Sequence, residues 1–228
     1  YDEDERDRLA TTAATPIEDA AQRVNAVSGY GEGLAPYLVA LALWFGAMAV
    51  YLLLRPLSAR AVASTTGSIR TALAGFAPGL ALGALQVVLL LAVVVGLLGL
   101  GPASPGLLVT MTVATAVTFL AINQALVALL GPAGRLVSLV LVTLQLTSVG
   151  ATFPIQTSAS FFGLLHHLLP MGYAVDGLRT AFAGGSTGIV TDLLVLGLFT
   201  ALALAVTVVA ARRRQTFTMA RLHPTLHV

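Results

Sequence analysis

Ile189-Val-Thr-Asp-Leu-Leu-Val-Leu-Gly-Leu-Phe-Thr-Ala-Leu-Ala-Leu-Ala-Val-Thr-Val-Val-Ala-Ala211, followed at once by Arg212-Arg213-Arg214, is the stretch that decides the fold. A helix needs about 20 apolar residues to cross the hydrocarbon core of a bilayer. This run meets that length, and the arginines close it. Four earlier runs read the same way. Pro36 to Leu54 is the first, stopped by Arg55-Pro56. The second lies within Leu73 to Leu100, interrupted by Pro78. Gly106 to Leu130 is the third, and Leu136 to about Gly150 is a short fourth.

Composition agrees. The chain has 228 residues, 57% hydrophobic and only 10% charged, with a mean hydropathy of +0.91. A soluble domain carries roughly a quarter charged residues, so apolar surface on this scale calls for lipid. There is no cysteine, hence no disulfide framework or thiolate metal site. All twelve basic residues are arginine. Without lysine, neither a Walker A phosphate loop nor a Schiff-base enzyme can be built. The opening Asp2-Glu3-Asp4-Glu5-Arg6-Asp7-Arg8 is unlike a signal peptide, and the chain is expected to be the C-terminal part of something longer.

Charge orders the spans. Of the ten acids, those at positions 2, 3, 4, 5, 7, 18, 19 and 32 precede the first span, Asp176 lies between the fourth and fifth, and Asp192 stands at the very start of the fifth. Arg55, Arg60 and Arg70 follow span one, Arg135 lies between spans three and four, and Arg212, Arg213, Arg214 and Arg221 follow span five. With five crossings, these arginines share one side and the acids the other. The positive-inside rule assigns the arginine side to the cytoplasm. The expected layout is an extracellular end over 1–35, a membrane domain over 36–211 and a cytoplasmic tail over 212–228. A short amphipathic helix is expected over Pro16–Val27, and a turn over Ser28-Gly-Tyr-Gly-Glu-Gly33.

Residues 153–173 are too apolar for a free loop and are broken by Pro154 and Pro170. A re-entrant or interfacial hairpin fits, because irregular backbone at membrane depth must be shielded by protein. Asp176 and Arg179, three apart, are spaced for an interfacial salt bridge fixing that hairpin, alongside Phe153 and Pro154.

Within the spans, Gly75, Gly79 and Gly83 recur every four residues, a spacing that lets a second helix approach closely. Amides stand at Gln86, Asn123, Gln124 and Gln145, with hydroxyls at Thr110, Thr112, Thr115 and Thr118. Thr112, Thr115 and Asn123 share a helix face with Phe119. Two readings are open: interhelical hydrogen bonds, which is favoured, or a polar substrate path. No ionisable residue lies in mid-span, which argues against a proton-coupled carrier or an ion pump. His166 and His167 point about 100° apart on a helix and cannot chelate one metal, and Pro224 separates His223 from His227. No metal, cofactor, catalytic nucleophile–base set or nucleic-acid partner is expected.

Residues 55–71 carry Arg55, Arg60 and Arg70. They suit either a short helix lying on anionic lipid or a docking element for a cytoplasmic partner.

Several strings taken in order resemble the C-terminal membrane domain of the YhgE/Pip (phage infection protein) family. They are Tyr30-Gly-x-Gly-Leu-Ala-Pro-Tyr37, Leu43-Trp-Phe-Gly-Ala47, Arg55-Pro56, Leu144-Gln-Leu146 with Ser148, Thr152-Phe-Pro-Ile155, Phe161-Phe162 and Leu169-Pro-Met-x-Tyr-Ala-Val-Asp-Gly-Leu-Arg179. The last also resembles the hairpin signature of type-2 ABC-exporter permeases. The resemblance covers roughly residues 28 to 212. It implies a bacterial cell-membrane protein and a six-helix permease half, with a large extracellular insert between helices one and two. This chain would hold helices two to six, without the first helix and the insert. It also implies a homo- or heterodimer and a separate ATPase that contacts residues 55–71.

Two functions from different classes follow as expectations. The first is a membrane subunit exporting a lipid-like or hydrophobic substrate. The second is a non-transporting anchor or receptor, for phage or for a secretion machine, whose outer domain does the work. A neighbouring ATP-binding-cassette chain in a purified complex favours the first; its absence, together with a closed bundle having no lateral groove, favours the second.

Overall fold

The computed structural model describes residues 2, 3, 5, 6, 30–62, 66–149, 168–185 and 188–215. It is all-helical there. The helices are α1 (Tyr30–Leu53), α2 (Ser68–Leu91), α3 (Pro105–Leu130), α4 (Pro132–Ser148), α5 (Pro170–Ala183) and α6 (Ile189–Gln215). A single helical turn, Ala59–Val62, precedes α2, and α2 continues into a π-helical segment, Ala92–Leu97.

Four of these helices are long and apolar enough to cross a membrane: α1, α2 with its π extension, α3 and α6. The fourth expected crossing, α4, has 17 residues. At 1.5 Å per residue it spans about 25 Å, short of the ~30 Å hydrocarbon core.

The bundle is organised around α3, which packs against all five other helices. This position follows from its side chains: alanine, threonine and amides alternate with Leu108, Met111, Phe119 and Leu120, all buried. Leucines on α2 and α6, such as Leu85, Leu89, Leu194 and Leu198, are exposed, as suits helices facing hydrocarbon. Gly131, at φ +63°, makes the sharp turn from α3, and Pro132 opens α4. That left-handed backbone favours glycine, and proline suits a first helical position, where its missing N–H costs nothing.

Four readings of glycine and proline are corrected. Tyr30 to Gly33, expected as a turn, is the first turn of α1, and Pro36, expected to open the span, lies inside it. Pro78, expected to interrupt the second span, lies inside an unbroken α2. Pro170, expected as a break in the hairpin, is the first residue of α5. In membrane helices neighbouring helices and local adjustments re-satisfy the backbone group that proline frees, so the rule that proline ends a helix is weaker here.

α5 is a half-length helix. Its end is tied to the start of α3, with Ala103 N donating to Phe182 O at 3.1 Å and Ser104 N to Ala181 O at 3.0 Å. Further back, Gly177 sits against the Met111 side chain. α5 therefore runs antiparallel to α3, and its 14 residues, about 21 Å, begin near the middle of α3. Phe153, Pro154, His166, His167, His223, His227 and the segment Pro16–Val27 lie outside the described residues.

Candidate functional site

Several buried polar side chains join one helix to another. Gln124 Nε2 donates to Pro56 O at 2.8 Å and Ala72 O at 3.0 Å, tying α3 to the end of α1 and the start of α2. Asn123 donates to Phe119 O at 2.9 Å and accepts the Ser138 hydroxyl at 2.5 Å, tying α3 to α4. Trp44 of α1 donates to Ser138 O at 3.3 Å and meets Phe119 edge-on, with ring centroids 4.9 Å apart. Thr118 bonds Thr200 at 2.9 Å and Leu196 O at 3.2 Å, tying α3 to α6. Thr112 donates to Leu108 O one turn back. Thr115 and Gln145 are fully buried. None of Thr112, Thr115, Asn123 or Gln145 lines the groove described next.

Gln86 differs. It lies near the middle of the span formed by α2 and its π extension, and its Nε2 donates to Ala42 O of α1 at 2.8 Å. Around it, α1 and the second half of α2 leave a groove of about 640 Å³. Ala35, Leu38 and Val39 form one wall, and Leu85, Leu89 and Val93 the other. Among the described residues, Gln86 is the sole polar residue in the lining. The π segment contributes Val93 and Val94. Such segments are rare and recur at functional sites.

Gly75, Gly79 and Gly83 of α2 lie outside the groove lining, on the helix face that also carries Gln86. A Cβ at Gly75 would fall on Pro56 O, at Gly79 on the Tyr51 phenol, and at Gly83 on the Leu120 side chain. These three positions hold α2 close to α1 and α3. No residue in that spacing lines the groove.

The arginines gather at one end of the bundle. Leu57, Val62, Ala128, Ala210 and Ala211 form a small apolar cluster there. Arg214 donates to Ala128 O at 2.9 Å, and Gln215 Nε2 donates to Thr66 O at 2.8 Å and Thr71 Oγ1 at 3.0 Å. The segment bearing Arg60 and Arg70 is thereby bonded to the end of α6. Glu32 and Asp192 lie at the far ends of α1 and α6. Asp176 and Arg179 pair at 3.1 Å on the partly exposed stripe of α5, away from the arginine end.

This arrangement defines an all-helical, membrane-embedded protein with a buried central helix and a side groove. The chain is related to a curated bacterial protein, "Uncharacterized protein YhgE" of Bacillus subtilis (strain 168), with 28% identity over 175 residues. The match covers 77% of this chain and 22% of that relative, so the chain spans about a fifth of the relative's length. That likeness supports the YhgE relationship read from the sequence strings. No family model matches the chain. No solved structure matches it either.

Proposed function

We propose that this chain is the membrane-spanning part of an export-type transporter, a permease-like half that moves a lipid-like or hydrophobic substrate with energy from a separate ATPase. The observation that carries the reading is the lateral groove between α1 and α2. Ligand sites are typically concave, about 300–1,000 Å³, mostly apolar, and fixed by few polar groups; the groove fits this description at about 640 Å³ with Gln86 as its one amide. In this reading α4 is a fifth, short crossing and α5 the returning arm of a re-entrant segment. The arginine end faces the cytoplasm of a bacterial cell. Arg55, Arg60 and Arg70 receive the ATPase, and the bonds from Gln215 to Thr66 and Thr71 carry its movement to α6. The half works as a dimer.

A photoreactive fatty-acyl probe tests the groove. It should label Leu85 and Leu89 well above Leu194 and Leu198, which are equally open to lipid on α6. Equal labelling of the two faces refutes a bound substrate. One observation favours the anchor reading: about four-fifths of the B. subtilis relative lies outside the matched span, ample room for an outer domain that carries the function.

A further inference from the structure

We propose a phosphate-binding site for an anionic lipid headgroup between α2 and α6, at the arginine end. It depends on the chain being embedded in a membrane and is independent of transport. A cavity of about 420 Å³ is lined by Gly67, Ser68, Ile69, Arg70 and Arg212. Its two arginines come from different helices, α2 and α6, and line the same space. Among the described residues, neither Arg70 nor Arg212 makes an ion pair or hydrogen bond, whereas neighbouring Arg214 is committed to Ala128 O.

Charge balance selects an anion. Segments 54–72, 124–137 and 208–215, which build this end, contain no aspartate or glutamate. Among the described residues, no carboxylate is paired with Arg70 or Arg212. Arginine presents a planar fork of donors that suits phosphate bidentately, and two such forks match one phosphate group.

The surroundings select a lipid over a soluble phosphate. Ile69, exposed, shares the cavity. Directly along the same helices, Leu73 of α2 and Val206 and Val209 of α6 are exposed apolar residues. A headgroup held by Arg70 and Arg212 would lay its acyl chains along that strip. Basic pockets between membrane helices on the cytoplasmic side bind anionic headgroups for this reason.

The test uses the purified full chain in a zwitterionic detergent, with lipid binding read by native mass spectrometry. Phosphatidylglycerol should be retained over phosphatidylcholine. The Arg70→Gln/Arg212→Gln variant should lose roughly 30-fold of that affinity, the effect of two surface arginines. Arg70→Lys/Arg212→Lys, which keeps the charge but loses the fork, should bind between the wild type and the glutamine variant while keeping the preference for phosphatidylglycerol, which shows that the larger loss is not misfolding. Arg55→Gln/Arg60→Gln, which removes the same charge outside the cavity, should bind like wild type. An equal loss in that variant, or no preference in wild type, overturns the site. Displacement by equimolar inorganic phosphate overturns the lipid as its source.

Discussion

The Gln86 carboxamide occupies the space that a side chain at residue 46 would fill: a Cβ on Gly46 would fall on its nitrogen and oxygen. The hydrogen bond from the Gln86 amide to Ala42 O therefore exists because α1 carries glycine one turn further on. Alanine at residue 46 forces the amide away from Ala42, at about 0.6–1.7 kcal/mol for an intramembrane hydrogen bond. Alanine also gains about 0.5–1 kcal/mol over glycine inside a helix. In wild type the two nearly cancel. In a Gln86→Ala background only the gain remains, so Gly46→Ala should stabilise. A double-mutant cycle on detergent stability should return about 1 kcal/mol of coupling; additive effects would refute the fit.

Gln124 gives a contrast in magnitude. Its Nε2 serves two carbonyls on two other segments, and the side chain is fully buried. Gln124→Leu should cost about 1–2 kcal/mol. Thr110 bonds only Gly106 O of its own helix and is exposed, so Thr110→Val should be near neutral. Equal costs would mean the amide does not join helices.

What the sequence disclosed and what it concealed divide along physical lines. α6 was legible because twenty apolar residues closed by arginines have one stable environment. The gathering of the arginines was legible because charge stays out of hydrocarbon. The groove was not, since it depends on how α1 and α2 diverge and on Gly46 receiving Gln86, a match between residues forty apart. Glycine and proline misled at Tyr30–Gly33, Pro78 and Pro170, because both are more frequent in membrane helices than in soluble ones.

Opposite sides for the two ends are testable directly. The chain has no cysteine, so single replacements report cleanly. Ala59→Cys lies beside Arg60, and Ala103→Cys lies beside the end of α5; both positions are exposed. An impermeant maleimide should label residue 103 in intact cells and residue 59 only after permeabilisation. Labelling of both from outside would refute opposite sides, and labelling of residue 59 alone from outside would invert the proposed orientation.

The Asp176–Arg179 pair is a modest contributor. Both side chains are more than a third exposed, and exposed ion pairs are worth about 0–1 kcal/mol. Asp176→Asn should leave thermal stability within that range. A much larger loss would mean the pair sits in an interface with a second chain.

The three α2 glycines should rank by what each added methyl meets. At Gly75 it meets the Pro56 carbonyl, a backbone atom that cannot rotate away. At Gly79 it meets the Tyr51 ring, whose side chain is fully buried. At Gly83 it meets the tip of Leu120, which has other rotamers. Overpacking typically costs about 1–3 kcal/mol. Gly75→Ala should lie at the upper end, Gly79→Ala between, and Gly83→Ala near zero once the helix gain of alanine is included. Detergent melting of the three variants gives the order directly. A larger loss at residue 83 than at residue 75 would show that α2 does not meet the end of α1 at Pro56.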